Sequence, residues 1–105
     1  MLGGEVEFAP EAEHELDELY FRIRVDIGPN AADTFAQRVR RALRNLADFP
    51  LMGRSRDEFP GMPRSLSIHP GVIFYEPMKN KRGIKVLRIL DGRRDLGALL
   101  GQVDQ

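Results

Sequence analysis

The chain contains no cysteine and no tryptophan, and only two of its 105 residues are histidine. The lack of cysteine excludes disulfide scaffolds, zinc ribbons, thiol nucleophiles and iron–sulfur centres. His14 and His69 lie far apart in the sequence, so a histidine-rich metal site is not expected. The residue inventory therefore implies neither a metal nor another cofactor.

Long apolar runs are also missing. No stretch approaches the roughly 20 apolar residues that cross a bilayer. The first five residues, MLGGE, have neither the basic start nor the apolar stretch of a signal peptide. We therefore expect a cytoplasmic protein that does not engage a membrane.

The residues that are present make an ordinary globular mixture, 42% hydrophobic and 30% charged. At this length we expect a single domain that spans residues 1–105, with one main core.

Charge is distributed unevenly although the net charge is zero. Residues 1–35 contain nine acids and two bases, whereas residues 36–105 contain seven acids and fourteen bases. Either the two halves neutralise each other across the fold, or the basic half forms a face for an acidic partner, nucleic acid or protein. The second predicted helix contributes four arginines that we expect to form a solvated face, paired with acids of the first helix: Arg38, Arg40, Arg41 and Arg44.

The first half of the chain predicts a short strand and two helices. Val6 and Phe8 share a face of the strand, which leads into a first helix that begins at Pro10 and ends before Gly28. The second helix follows a two-residue link and ends before Pro50. Such a short link predicts a helical hairpin whose two apolar stripes cover a shared surface.

The second half predicts strands. Residues 51–63 contain four Gly or Pro breakers and predict a loop. Three strand-like segments follow, at 64–68, 72–76 and 84–90, and residues 95–100 can form a short last helix. The order β-α-α-β-β-β, with an optional last α, predicts an α+β fold in which the hairpin packs on one face of a small twisted antiparallel sheet.

Six short motifs are distributed along nearly the whole chain. They are VEFAPEA at 6–12, AADTF at 31–35, LADFPLMGR at 46–54, PRS at 63–65, VIFY at 72–75 and RILDGRRD at 88–95. In this order and spacing they resemble the ParE branch of the RelE/ParE superfamily, the toxins of type II toxin–antitoxin modules. Two positions depart from the family pattern: Ala9 stands where a capping Ser is often found, and Asp91 stands where His is usual.

The resemblance implies a small toxin that is neutralised by an antitoxin encoded beside it. RelE-like members cut messenger RNA on the ribosome, whereas ParE-like members are associated with poisoning DNA gyrase and have no known nuclease chemistry. Three hypotheses follow: a ParE-like inhibitor of DNA gyrase bound by a ParD-like antitoxin, a RelE-like endonuclease with a degenerate site, or a non-toxic relative that only binds an antitoxin-like peptide.

The residues favour the first hypothesis. RNA cleavage needs groups that take and give a proton, and cations for the developing phosphorane charge. The resemblance places the nuclease groups at five positions, and this chain has there Ser65, Ser67, Val72, Leu100 and Arg94. Arginine does not lose its proton, so it cannot act as a general base. We therefore expect no catalytic residue.

We expect no catalytic role for His69 or Tyr75. His69 is expected at a solvated turn, and Tyr75 is expected in the core with its hydroxyl at an edge.

The candidate residues for binding the target or the antitoxin are Arg54, Arg64, Arg88, Arg93, Arg94 and Asp95. Alternation in the last strand places Arg88 on the face of Ile84 and Val86. We also expect an apolar groove between the hairpin and the sheet, and an open strand edge. An acidic antitoxin tail should fill both and make ion pairs with Arg54, Arg64, Arg88 or Arg94.

Overall fold

A computed structural model describes residues 3–101, which form three helices and one five-stranded sheet. In chain order the elements are β1 (Glu5–Phe8), α1 (Pro10–Asp26), α2 (Pro29–Asp48), β2 (Arg54–Ser55), β3 (Arg64–Ile68), β4 (Gly71–Pro77), β5 (Gly83–Asp91) and α3 (Leu96–Leu100). The α+β class and the helical hairpin on one face of the sheet are confirmed. None of these helices is long and apolar enough to cross a membrane.

The sheet is mixed rather than wholly antiparallel. Its order is β1-β5-β4-β3-β2, and β1 runs parallel to β5 while every other pair is antiparallel. The connection between α2 and β3 contains the additional short strand β2, where the sequence predicted only a loop. Because this connection carries the chain back along the sheet, β3 runs in the direction of β1, and the β3-β4-β5 meander then brings β5 parallel to β1.

Residues with known helix-start and helix-end preferences mark the start of α1 and the link between α1 and α2. α1 has Pro10 in its first turn and the acids Glu11 and Glu13 beside the positive end of its dipole. The link to α2 passes through Gly28 at φ 146°, a conformation that L side chains rarely adopt. This turn folds α2 back along α1 and thereby makes the hairpin.

Apolar side chains form one core on each face of the sheet. The inner core lies under the hairpin, where the stripes of α1 and α2 meet strand residues such as Ile73, Tyr75 and Ile84. The smaller outer core lies on the opposite face. It consists of Phe59, Val72, Phe74 and Leu90, covered by Leu96, Leu99 and Leu100.

A β-bulge in β5 changes which residues reach the inner core. Tyr75 pairs with Val86 but Phe74 pairs with Arg88, so Leu87 is an extra residue on β5. The extra residue shifts the alternation, and Ile89 packs in the inner core instead of Arg88. The prediction that Arg88 continues the face of Val86 is therefore wrong.

Candidate interaction surfaces

The predicted arginine cluster is divided between two parts of the sheet. Arg54 and Arg64 lie on β2 and β3, whereas Arg88 lies on β5 and Arg93 and Arg94 follow that strand. Strand β4 separates β3 from β5. The six candidates therefore do not form one patch.

Arg88 ties α1 to β5. Its guanidinium donates to both carboxylate oxygens of Glu15, with Nη2 to Oε2 at 2.7 Å, and Glu11 lies within 3.7 Å. The Glu15 carboxylate also accepts from the backbone N–H of Ile89. Strand β1 ends before this point, so Glu15 supplies the acceptor that β1 no longer provides. The hydrogen bonds to Glu15 raise the pKa of Arg88, whose side chain is only 26% exposed.

Asp91 organises the turn after β5. Its side chain is 7% exposed and accepts two hydrogen bonds from the Arg93 guanidinium, with Arg22 at 3.6 Å. The Arg93 hydrogen bond holds the pKa of Asp91 at about 2, against the opposing effect of burial. Asp95 begins α3 by accepting from the backbone N–H of Ala98. The side chains of Arg93 and Asp95 are therefore already used in hydrogen bonds within the chain.

Arg64 and Tyr75 secure the connection between α2 and β3. The Arg64 guanidinium donates to the carbonyl of Gly53 at 2.7 Å and to that of Leu51 at 3.2 Å. The Tyr75 hydroxyl donates to the Pro50 carbonyl and accepts from the Gly53 N–H, and burial raises the pKa of Tyr75. A Cβ at Gly53 would collide with the Tyr75 hydroxyl. The predicted structural role of Tyr75 is confirmed.

Two of the six candidates remain available to a partner. The side chains of Arg54 and Arg94 are exposed and make no hydrogen bond or ion pair with any of residues 3–101. They lie at opposite parts of the sheet, Arg54 on the β2 edge and Arg94 after β5.

The positions that correspond to nuclease groups lie on or beside the outer face of the sheet. Ser65 is buried and accepts from Arg56, whose guanidinium stacks on the rings of Phe59 and Phe74. Val72 and Leu100 belong to the outer core, while Ser67 is exposed. His69 is exposed in the β3–β4 turn, as predicted. Within residues 3–101 no three His, Asp or Glu side chains are grouped to hold a metal.

The expected apolar groove is present beside the hairpin. This hairpin groove has a volume of about 660 Å³. Its apolar lining comes from β1, α1 and α2, and Asp17, Arg40 and Arg44 add charge. The apolar and aromatic lining residues are Val6, Phe8, Leu16, Tyr20, Ala36, Val39 and Leu43. Tyr20 is held in place because its hydroxyl donates to Asp33 at 2.6 Å, which also raises the pKa of Tyr20.

An open strand edge is also present, on β3. Strand β2 pairs only with Arg64 and Ser65, so no strand formed by residues 3–101 pairs with residues 66–68 on that side. A smaller groove lies there, lined by Leu66, Ile68, Met52 and residues of α2 that include Arg38 and Arg41. The strand edge, the apolar side chains and the arginines together suit an added strand that carries acidic groups.

Two sets of exposed apolar side chains, one on α1 and one in the α2–β3 connection, were not predicted from the sequence. Phe21 and Val25 are exposed on α1, one turn apart. Four more large apolar side chains are exposed in the α2–β3 connection: Phe49, Leu51, Met52 and Met62. The spacing of Phe21 and Val25 is helical, so the sequence carried the signal, but it could not show which stripe of α1 would be buried.

Three comparisons relate the chain to known proteins. A family model described as the ParE toxin of the type II toxin–antitoxin system parDE matches residues 6–96. The Toxin ParE3 of Caulobacter vibrioides is 33% identical over 89 residues, which cover 84% of this chain and 86% of that protein. A solved structure titled "Chromosomal ParDE TA system from P. aeruginosa" has a TM-score of 0.68 at 22% identity, and the match covers 84% of this chain and 95% of that chain. At this identity the solved structure supports the fold alone.

Proposed function

The chain belongs to the ParE toxin family of type II parDE toxin–antitoxin systems, and on this premise we propose that the free protein binds and inhibits DNA gyrase. The family match over residues 6–96 is the observation that carries the proposal. In this proposal the protein is not an enzyme, and it acts in the cytoplasm, where gyrase works.

The outer face of the sheet supports binding over RNA cleavage. Of the five positions at which a RelE-like nuclease needs cationic or proton-transfer groups, only Arg94 carries a cation. Val72 and Leu100 contribute to an apolar core, and Ser65 is held by Arg56. Serine, valine and leucine have no useful acidity near neutral pH. Loss of one proton-transfer group typically costs about 10²–10⁴-fold in rate, so loss of the set leaves no meaningful cleavage.

We further propose that a ParD-like antitoxin neutralises the toxin by wrapping it. An amphipathic helix of the antitoxin fits the hairpin groove, whose lining is mainly apolar with two arginines. An extended segment fits the open edge of β3 at residues 66–68. Helix-in-groove docking and strand addition are the two recurrent ways in which a flexible tail covers such surfaces.

We propose that the ion pairs with the antitoxin involve Arg54 and Arg94 rather than all four predicted arginines. Arg64 and Arg88 already make hydrogen bonds within the chain, whereas the exposed side chains of Arg54 and Arg94 make no hydrogen bond or close ion pair with any of residues 3–101. We therefore expect the double variant R54A/R94A to weaken antitoxin binding by about 3- to 30-fold at low salt, since rim charges contribute modestly. Isothermal titration with the purified antitoxin measures this effect, and K79A/K85A, which removes two exposed lysines elsewhere, is the control.

The proposed target is tested by measuring whether gyrase binds the toxin and whether the antitoxin reverses that binding. Purified gyrase should bind the immobilised toxin, and addition of the antitoxin encoded beside the toxin gene should release it. A toxin that kills cells but does not bind gyrase would contradict the target. A toxin that binds antitoxin, spares cells and leaves gyrase active would support the non-toxic relative instead.

A further inference from the structure

Between residues 34 and 47 the outward surface of α2 is polar and its charged residues are all arginines, while the acids Asp33 and Asp48 lie towards the two ends of the helix. From residue 34 to residue 47 the exposed side chains are Thr34, Gln37, Arg38, Arg40, Arg41, Arg44 and Asn45, and none is acidic or apolar. We call this set the arginine face. It lies on a helix of 20 residues whose opposite side is buried in the inner core.

None of the four arginines on this face makes a hydrogen bond or a close ion pair within the described part of the chain, although the charge of Arg44 helps to lower the pKa of Asp48. Arg38, Arg40 and Arg41, like Arg44, make no hydrogen bond or ion pair with any of residues 3–101. The prediction that they pair with acids of α1 is therefore wrong. Among the α1 acids, Glu11 and Glu15 pair with Arg88 instead, and the carboxylate of Glu18 lies 2.8 Å from His14 Nε2.

The residue types on this face match those that contact phosphate. Protein–DNA hydrogen bonds to phosphate come mainly from Arg and Lys, supplemented by Ser, Thr, Asn and Gln. Arg38 to Arg44 span about 9 Å of helix axis at 1.5 Å per residue. A length of about 9 Å passes roughly five phosphate charges of a duplex, which carries one charge per 1.7 Å. Four arginines therefore face a comparable number of phosphates.

A folded protein is a poorer match for the same surface. Protein interfaces draw most of their binding energy from buried aromatic or apolar anchors, and the arginine face exposes none. A helix that lies in the wide major groove of B-DNA can reach phosphates on both sides of the groove, whereas the deep, narrow major groove of an A-form RNA duplex does not admit a helix, so we expect DNA to bind better than RNA. We propose that the arginine face binds the phosphate backbone of duplex DNA without sequence preference.

This contact adds a second anchor to a protein that acts where gyrase holds DNA. It does not depend on the proposed target, because DNA binding is measured without gyrase. All four arginines also border the grooves proposed for the antitoxin: Arg40 and Arg44 line the hairpin groove, and Arg38 and Arg41 line the groove beside the β3 edge. An antitoxin bound in these grooves would therefore reduce DNA binding.

The test is fluorescence anisotropy of a labelled 20-base-pair duplex titrated with the full-length toxin at several salt concentrations. Non-specific binding of this kind has dissociation constants of about 10⁻⁴–10⁻⁶ M. With four neutralised phosphates the slope of log K against log salt should be about −3.6, so affinity falls about 100-fold between 50 and 200 mM salt.

Two matched variants decide whether the arginine face carries the binding. R38A/R41A should reduce the slope by about 1.8 and weaken binding about tenfold or more at low salt. K79A/K85A also removes two exposed charges, and it should leave both values unchanged. A variant with lysine at all four arginine positions should retain the slope, since lysine preserves the charge. Circular dichroism confirms folding, and alanine and lysine are both good helix formers.

Several results would overturn the proposal. The first is that the toxin does not bind the DNA duplex at 50 mM salt, and the second is that R38A/R41A and K79A/K85A lose equal affinity for it. The others are that an A-form RNA duplex, or a poly-glutamate peptide of equal charge, binds the toxin more tightly than the DNA duplex does. Tighter binding of the poly-glutamate peptide would identify the arginine face as a surface for an acidic polypeptide.

Discussion

Ala9 is the N-cap residue of α1, but its side chain has no oxygen that could accept a hydrogen bond from the first turn. Its backbone is extended, at φ −64° and ψ 145°, as an N-cap residue should be, yet no side-chain oxygen accepts from the first turn. The carbonyl of Ala9 accepts from Ala12 and Glu13, so the helix begins here all the same. Pro10 and the acids of the first turn compensate for the missing cap.

Replacing this residue by serine should stabilise the protein. We expect A9S to raise the free energy of unfolding by about 0.5–1 kcal/mol, because the new hydroxyl can accept an unpaired N–H of the first turn. Urea unfolding at pH 7 measures the change. A9V, which fits extended backbone but has no acceptor, is the control, and an equal gain in A9V would show that capping is not the cause.

Asp91 should make the stability of the protein depend on pH in the acid range. Its pKa in the folded chain is about 2, below its ordinary value, because Arg93 and then Arg22 favour the charged form. A group with a lowered folded pKa stabilises above its unfolded pKa and loses that contribution as pH falls towards the folded pKa. The stabilisation by Asp91 is therefore complete above about pH 5 and is lost progressively between about pH 5 and pH 1.

The variant D91N should accordingly be less stable than the wild type at pH 7, and most of this difference should be lost by about pH 2. We expect a difference of about 1 kcal/mol at pH 7, less than the full pKa shift implies, because Arg93 is 63% exposed and solvent screens the pair. Urea unfolding at pH 7, 4 and 2 tests this. A difference that stays constant over this range would assign the loss to packing instead of charge.

At the level of the elements, α1 and β5 are joined by a partly buried ion pair. Glu15 is 18% exposed and bonds both the Arg88 guanidinium and the Ile89 N–H. A double-mutant cycle with E15Q and R88M should give a coupling energy of about 1.5–3 kcal/mol, the range for hydrogen bonds to charged groups. The exposed pair Lys81–Glu5 should show a clearly smaller coupling. Equal couplings would contradict the structural role that we assign to Glu15.

The sequence predicted the elements better than their pairing. Apolar periodicity and the breakers at Gly28 and Pro50 located both long helices to within one or two residues. The parallel pairing of β1 and the bulge at Leu87 could not be predicted, because both depend on where distant segments meet. The bulge alone reverses the expected facing of Arg88.

At the level of the whole molecule, the arginines that the sequence pattern groups into one cluster lie apart on the folded surface. The predicted cluster of Arg54, Arg64, Arg88 and Arg94 is divided by β4, and two of its members are used inside the fold. The uneven charge along the chain was the more useful signal. Its basic half includes the arginine face of α2, which the sequence pattern alone presented as a solvated face.

We propose that this ParE family member acts by binding gyrase and does not cut RNA. The most direct measurement adds one preparation of the toxin to two reactions: DNA supercoiling by purified gyrase, and translation of a defined message read by primer extension. We predict loss of supercoiling at toxin concentrations that leave the message intact. Normal supercoiling together with codon-specific cuts in the message would contradict both the target and the absence of catalysis.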